Sequence, residues 1–537
     1  MAPASPPLRP APAIARPEAA AAGIAAAAVA MAASELVAAA WPGAPSLALA
    51  AGSLVIALQP PGAKDLAATL FGTNDKLALN LAVVVVAMAI AAGAGILAVR
   101  SRRAAAMAFA GFAALGFTAA VTAAYAPVIQ AAVSAVTAGG AGLLALRLLL
   151  DRVPRVAASG HGDGSPADQP PAAAPAVARM PDWGRRRFLL TTGALTGGAL
   201  GLMGLGRFVL ESRHPAEAPV TAGLPRPVSS VPSLAADQSL SAPGLTPIVM
   251  PNDRFYRIDT ALLVPQVDVA TWKLTIDGMV DHPLTFRYPD LLAMPLIEQY
   301  VTIQCVSNEV GGDLVGNALW TGVRLKELLT SAGVQPAATQ IVGRSVDGFT
   351  VGFPTAWAFE PDREPMVVVA MNREVLPAAH GFPARLIVPG LYGYVSATKW
   401  LTQIELTTRE GFDAYWIPLG WAKDGPILTQ SRIDHPASGE RLAAGTVVID
   451  GLAWAPDRGI ARVEVSVDGL TWQEAQLSRA ISKATWVQWR LDWQATAGDY
   501  QIEIRATDGA GRIQTAQQSP PAPDGARGHH RVRVTVA

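Results

Sequence analysis

Apolar residues run almost without interruption through the first 150 positions, mostly as Ala, Leu, Val and Gly, whereas the last 290 alternate short apolar runs with polar ones. A helix needs about 20 apolar residues to cross a bilayer. Residues 19–40, 77–99, 104–124 and 128–150 meet that length, and a fifth run follows at 188–205. Residues 46–58 are apolar but too short, and Pro60-Pro61 closes them, so this stretch reads as re-entrant or interfacial. Arg9 and Arg16 precede the first span, Arg100, Arg102 and Arg103 join the second to the third, and Arg152, Arg155, Arg179 and Arg185 to Arg187 precede the fifth. Five spans put all three basic clusters on the cytoplasmic side and the remaining chain outside it. A sixth span at 46–58 would break that agreement.

Beyond the spans the pattern shortens. Stretches 157–178 and 214–244 are rich in Pro, Ala, Gly and Ser and read as extended linkers. From 245 to 408, strand-like runs at 272–276, 301–304 and 366–370 mix with a helix expected at 325–332, which predicts an α+β domain. After Gly411, runs at 447–449, 463–467, 486–490, 500–504 and 531–536 mostly alternate at period two, with turns at Asp468-Gly469 and Asp508-Gly509. This predicts an all-β immunoglobulin-like sandwich over 409–537, with Trp472, Trp486, Trp489 and Trp493 as core packing. The expected layout is membrane helices in 1–156, a linker at 157–187, a fifth span at 188–206, a Pro-rich linker at 207–244, and then the two soluble domains.

Charge and cysteine content narrow the function. Forty-two basic residues balance forty-two acidic ones, which disfavours a nucleic-acid partner. The single cysteine, Cys305, excludes an intramolecular disulfide, a cysteine-ligated iron-sulfur cluster and c-type haem attachment. No histidine precedes His161, so the spans lack the paired imidazoles of a membrane b-type haem. Glu35 lies near the end of the first span, as a functional intramembrane carboxylate or as one that snorkels to the interface. The run Gly184-Arg185-Arg186-Arg187-Phe188-Leu189-Leu190 resembles a twin-arginine export signal, a route for proteins folded around a cofactor; ordinary positive-inside flanking is the alternative.

Cys305 sits in "TIQCVSN", and its residue type alone permits a small core residue, a nucleophile or a soft metal ligand. One protein sulfur cannot close a zinc site, whereas it suits a metal whose other ligands come from a cofactor. With "LWTGVRLKELL" (319–329), "HGFPARLIVPGLYG" (380–393) and "KWL" (399–401), this run resembles the sulfite oxidase type of molybdenum enzyme, over about 250–537. The resemblance implies a molybdenum-molybdopterin cofactor ligated by Cys305, catalysing two-electron oxygen-atom transfer. It implies that Arg385, Lys399 and His380 hold the pterin and its phosphate, with Asn252, Tyr256 and Arg257 beginning a cofactor-binding wall. Asn308 would orient the metal-bearing strand, and the loop at Ser396 would offer backbone N–H groups to the phosphate. Tyr415 is either an active-site tyrosine or a packed linker aromatic.

The sequence departs from the family pattern around Tyr415, in a loop at Ser396 that is one residue longer, and most consequentially after Asn308. Sulfite oxidases follow this Cys-x-x-Asn with two arginines; here Glu309 and Val310 stand there, which disfavours sulfite as the substrate. The expected function is a membrane-anchored, extracytoplasmic oxidoreductase acting on a small oxyanion, with a separate electron carrier and a homodimer through the C-terminal domain. Sulfoxide reduction is the enzymatic alternative, and a non-catalytic membrane-anchored binding module is the alternative of another class.

Overall fold

The computed structural model describes residues 16–41, 43–58, 75–122, 127–151, 182–212, 223–242, 244–262 and 264–537, with side chains at 57, 75–77, 182–185 and 211–212 excepted. The linker expected at 157–178 lies outside them. The chain divides into two compact units, residues 1–213 and 214–537.

The first unit contains helices α1 (Arg16–Ala40), α2 (Leu47–Leu58), α3 (Asp75–Arg100), α4 (Arg102–Thr122), α5 (Val128–Asp151) and α6 (Asp182–Ser212). All but α2 are long and apolar enough to cross a membrane, while α2 has 12 residues, about 18 Å at 1.5 Å per residue. Small residues set the packing. A Cβ at Gly23 would lie 2.0 Å from the Ala91 carbonyl oxygen, and one at Gly95 2.1 Å from that of Ala19, so α1 and α3 touch backbone to backbone. Glu35 does not snorkel: it is fully buried, accepts a hydrogen bond from the Ser46 hydroxyl, and lies 4.0 Å from Arg207 of α6.

The second unit begins with strands β1 (Leu274–Gly278), β2 (Leu284–Phe286), β3 (Leu296–Gln304), β4 (Val315–Arg324), β5 (Gln340–Ser345), β6 (Thr350–Pro354), β7 (Met366–Met371), β8 (Glu374–Val375), β9 (Arg385–Ile387) and β10 (Leu401–Thr407). Between them lie α7 (Tyr288–Leu292), α8 (Leu325–Ala332) and α9 (Gly393–Ser396). One sheet runs β2-β1-β10-β5-β6 and the other β3-β4-β7-β8, with β9 on β7. Every residue of β7 is buried, which is why its sequence, "MVVVAM", is continuously apolar rather than alternating. Helix α8 ends where Gly333 takes φ = 67° and donates its N–H back to Leu329 and Thr330 carbonyls.

Strands β11 (Gln430–His435), β12 (Arg441–Leu442), β13 (Gly445–Trp454), β14 (Ile460–Ser466), β15 (Gln473–Glu474), β16 (Gln476–Leu477), β17 (Val487–Ala495), β18 (Gly498–Asp508) and β19 (Arg531–Val536) form two further sheets, β11-β13-β17-β16 and β12-β19-β18-β14-β15. Residues of both close one hydrophobic core, including Ile449, Trp489, Val465 and Ile504. Trp486, Trp489 and Trp493 are buried as expected, whereas Trp472 is half-buried beneath the Arg505 guanidinium, 4.1 Å from its ring. Leu452, Trp454 and Trp486 belong to the core of the preceding module, so the two are fused by packing.

The expected linker at 214–244 departs from that reading where it is described. Val228 N–H donates to Leu296 O at 2.8 Å, and Glu298 N–H to Ser229 O at 2.8 Å, so the strap pairs with the outer edge of β3. Leu240 N–H then bonds the Gln488 side chain at 2.7 Å. An edge strand offers unpaired backbone groups to any extended segment that reaches it, and a Pro-rich composition does not prevent such docking.

Candidate functional site

Cys305 leaves β3 just beyond its last pair with β4, Gln304 with Val315. The chain turns at once: Cys305 N–H donates to Leu314 O (2.9 Å), Asn308 N–H to Cys305 O (3.1 Å) and Gly312 N–H to Glu309 O (2.9 Å). The Asn308 side chain closes the turn by accepting from Leu314 N–H at 2.8 Å, while its own Nδ2 is buried without a hydrogen-bond partner. The thiol is half-buried at the mouth of this turn, and Glu309 points to solvent.

Beside it lies a basic cluster from two distant stretches. His380 Nε2–H donates to the Asn252 carbonyl at 2.8 Å; burial pushes the imidazole down to about 4, so the ring is neutral and its buried Nδ1 is left as an acceptor without a partner. Arg385, on β9, donates from Nη1 to His380 O at 3.1 Å, lies 5.0 Å from the Trp320 ring centroid, and keeps a buried Nε–H unpaired; burial lowers it to about 10. Burial raises the Tyr256 phenol, and the nearby Cys305 raises it further while Arg385 opposes the shift, so the ring feels both the thiol and the guanidinium. Lys399 Nζ donates to Asp259 Oδ2 at 3.0 Å and to Ala379 O at 3.1 Å, and Arg257 Nε donates to the same Asp259 oxygen at 2.9 Å. Burial lowers Lys399 to about 8, against the pull of Asp259. Arg257 and Lys399 share the Asp259 carboxylate, and Arg385 donates to the His380 carbonyl rather than to a carboxylate, so the cluster carries an excess of positive charge that suits a phosphate.

Six expected residues thus come together: Cys305, Tyr256, Arg257, His380, Arg385 and Lys399. Three others do not enter with their side chains. The Asn252 amide turns toward Asn372 (2.8 Å) and Glu374 (2.8 Å), leaving only its carbonyl on His380. The Ser396 hydroxyl bonds back to Tyr392 O at 3.0 Å inside its own short helix. Tyr415 packs on Phe349 and Trp416, one step removed, with burial and Asp347 raising its phenol. Asp259 escaped sequence reasoning, although its place two residues after Arg257 in "FYRIDT" was a usable signal.

A second polar surface comes from the C-terminal module, where Arg458 and Arg512 are paired with Asp508 and Arg527 with Asp524. Gln430, Arg458, Arg512, Arg527 and Gly528 line an open cleft. Gln430 Oε1 accepts from Gln304 Nε2 at 3.3 Å, directly before Cys305. Tyr392, raised mainly by burial, feels the Arg527–Asp524 pair and Cys305 at once. Among the described residues no three His, Cys, Asp or Glu side chains gather as a metal site, so a metal at Cys305 needs ligands from a cofactor.

Residues 261–416 match the family described as oxidoreductase molybdopterin binding domain, and residues 426–525 the Mo-co oxidoreductase dimerisation domain. Mitochondrial sulfite oxidase of Homo sapiens is 30% identical over 320 residues, covering 51% of this chain and 58% of that protein. Nitrate reductase [NADPH] of Aspergillus niger is 28% identical over 269 residues, covering 41% and 31%. The sulfane dehydrogenase SoxCD from Paracoccus pantotrophus aligns over 56% of this chain and 83% of that chain, at 24% identity and a TM-score of 0.48. The chain spans about 58% of the length of the sulfite oxidase it matches. Two adjoining domain matches, in the order expected from the motifs around Cys305, His380 and Lys399, support a sulfite oxidase-type molybdopterin oxidoreductase over residues 261–525.

Proposed function

We propose that the protein is a membrane-anchored, extracytoplasmic molybdenum-molybdopterin oxidoreductase that transfers an oxygen atom to or from a small oxyanion and exchanges electrons with a separate carrier. The observation that carries this reading is the pair of buried, unpartnered groups Arg385 Nε–H and His380 Nδ1 inside a cluster with excess positive charge, beside the single thiol. A buried donor and acceptor without partners cost about 1–3 kcal/mol each unless a ligand satisfies them. A pterin phosphate and ring edge supply both kinds of partner. In this reading Arg385, Lys399 and Arg257 hold the phosphate, His380 is oriented by Asn252 O and meets the pterin, and Cys305 ligates the metal. When bound, the cofactor supplies the two-electron redox chemistry; the chain supplies position, charge and access.

The substrate class turns on the charge around Cys305. Glu309 and Val310 lack the positive charge that the sulfite oxidase pattern puts after Cys-x-x-Asn, but Glu309 is exposed, so water screens its repulsion. Arg458, Arg512 and Arg527 line the cleft of the C-terminal module, but each is paired with an aspartate: Arg458 with Asp457 and Asp508, Arg512 with Asp508, and Arg527 with Asp524. The exposure of Glu309 weakens the case made against sulfite from Glu309 and Val310, and sulfite stays within the proposed oxyanion class. Neither sulfoxide reduction nor a non-catalytic module is favoured by the relatives, which are sulfite oxidases and a nitrate reductase. The β-rich C-terminal module is, in this proposal, an immunoglobulin-like dimerisation domain, and the helices of residues 16–212 anchor it with the soluble unit outside.

The test is metal and pterin analysis of the full chain in detergent, beside Cys305→Ser. About one molybdenum and one pterin per chain, with the metal lost from the variant, is the expected result. A folded chain that contains neither after expression in a host making the cofactor refutes the reading. Arg185→Lys with Arg186→Lys tests export: delivery of the soluble unit unchanged by both removes the twin-arginine route.

A further inference from the structure

The turn that presents Cys305 is held from outside by one arginine of the C-terminal module. Arg432, on β11, is buried at 9% exposure and spends its guanidinium on three partners: Nη1 donates to Gly312 O at 3.0 Å, Nη2 to Thr246 Oγ1 at 2.8 Å, and Nε to Asp434 Oδ1 at 2.6 Å. Asp434 is fixed in turn by Thr246 N–H at 3.0 Å on its other oxygen. The guanidinium is planar and its fork is rigid, so three partners on it define its position and its orientation together. Gly312 closes the 305–312 turn through its N–H to Glu309 O, and its neighbour Gly311, at φ = 81°, has room for a Cβ only 2.3 Å from the His530 ring. Just before the thiol, Gln304 is clamped by Trp454 Nε1–H on Oε1 at 2.7 Å and by its own Nε2–H to Gln430 Oε1 at 3.3 Å. Both ends of the turn are therefore pinned by the second module, the near end at Gln304 and the far end at Gly312.

We infer that Arg432 is a positioning residue for the Cys305 thiol: through Gly312 O it fixes the turn, and through the turn the direction from which the sulfur meets the metal. This rests on the reading of Cys305 as the molybdenum ligand. Arg432 touches no reacting atom. A side chain that holds the turn bearing a ligand acts by setting ligand geometry, as groups behind a ligand do in metal sites generally. Lysine cannot replace it, because one ammonium has no planar fork to span Gly312 O, Thr246 and Asp434.

The experiment compares full-length protein carrying Arg432→Gln, Arg432→Lys, Thr246→Val and Cys305→Ser, each loaded in a cofactor-producing host. Pterin content, molybdenum content, the electron paramagnetic resonance signal of the one-electron-reduced metal, and thermal unfolding are recorded. The expected result is that Arg432→Gln keeps pterin within twofold of wild type but shifts or broadens the resonance signal and lowers molybdenum retention severalfold. Arg432→Lys should give an intermediate signal, and Thr246→Val a smaller shift of the same kind, since it loosens the guanidinium without removing it. A wild-type resonance signal in Arg432→Gln and Arg432→Lys, with Cys305→Ser altered, overturns the positioning role and leaves the ligand reading standing. A wild-type signal in Cys305→Ser overturns the ligand reading itself. If Arg432→Gln fails to fold, an unchanged signal in folded Arg432→Lys and Thr246→Val is the overturning result.

Discussion

Lys399 offers the sharpest quantitative test of the basic cluster. Its ammonium is lowered from 10.5 to about 8 by burial, against the opposing pull of Asp259, a displacement worth about 3 kcal/mol at ~1.4 kcal/mol per unit. The folded state thus releases this proton before the unfolded chain does, so cofactor-free protein gains stability as pH rises from about 8 toward 10.5. Two of the three N–H groups go to Asp259 and Ala379 O, and the third is available to a ligand. A phosphate oxygen at ~4 Å, with an effective dielectric of ~20, returns about 4 kcal/mol per unit charge and more than offsets the burial cost. Inorganic phosphate is already a dianion above pH 8, so further pH dependence there belongs to the protein. Calorimetric titration of cofactor-free full-length chain with phosphate should show affinity falling about tenfold per pH unit above 8, with proton uptake on binding. Lys399→Gln should bind two to three orders of magnitude more weakly at pH 7.5 and lose the pH dependence. Affinity that stays flat to pH 9.5, or a Lys399→Gln protein that binds as wild type, refutes the assignment of this cluster to an anionic ligand.

Asp450 is fully buried on β13 with neither carboxylate oxygen bonded, and burial with nearby Asp434 raises it to about 7. The fold therefore loses stability as pH rises from about 4 through 7, and Asp450→Asn should raise the unfolding midpoint by an amount worth about 4 kcal/mol at pH 8 and near nothing at pH 4. Glu309→Arg adds positive charge at an exposed position beside Cys305; dye-linked assays should show a severalfold lower KM for oxyanions at low salt that converges with wild type near 0.5 M salt. Gly311→Ala should cost about 2 kcal/mol or more in denaturant unfolding, because it forces an L residue to φ = 81° against His530. Arg207→Leu should lower thermal stability in detergent by leaving Glu35 buried without its arginine, and adding Glu35→Gln should restore it; no recovery in the double variant would rule out the ion pair as the link between α1 and α6.

The sequence was most legible where one physical signal acts alone. Five apolar runs correspond to the five long helices, and the apolar run at 46–58 forms the 12-residue α2. The amphipathic run 325–332 is α8 residue for residue, because Gly333 gives an unambiguous stop. Alternation at 447–449 and 531–536 lies within β13 and β19 for the same reason. Legibility failed where a partner in space decides. The Pro-rich strap at 223–242 has no pattern of its own, yet the open edge of β3 captures it. Glu35 sits at a helix end, where a carboxylate ordinarily reaches water, but Ser46 and Arg207 converge on it from two other segments.

The same distinction governs the site. Arg385 and Lys399 were recoverable because the ordered set of short motifs carries a family resemblance, and the fold brings them into one cluster with His380 and Arg257. Residues that shape access were not. Reading Glu309 and Val310 as the charge of the substrate pocket treats the turn as if it were isolated, whereas its surroundings come from residues more than a hundred positions later. Gln430 contacts Gln304, Arg432 holds Gly312, and Arg527 shares the field at Tyr392 with the thiol. A module matched to a dimerisation family therefore also forms one wall around Cys305. It follows that the residues after Cys-x-x-Asn cannot by themselves assign the substrate in a chain where the second module packs against both ends of the Cys305 turn.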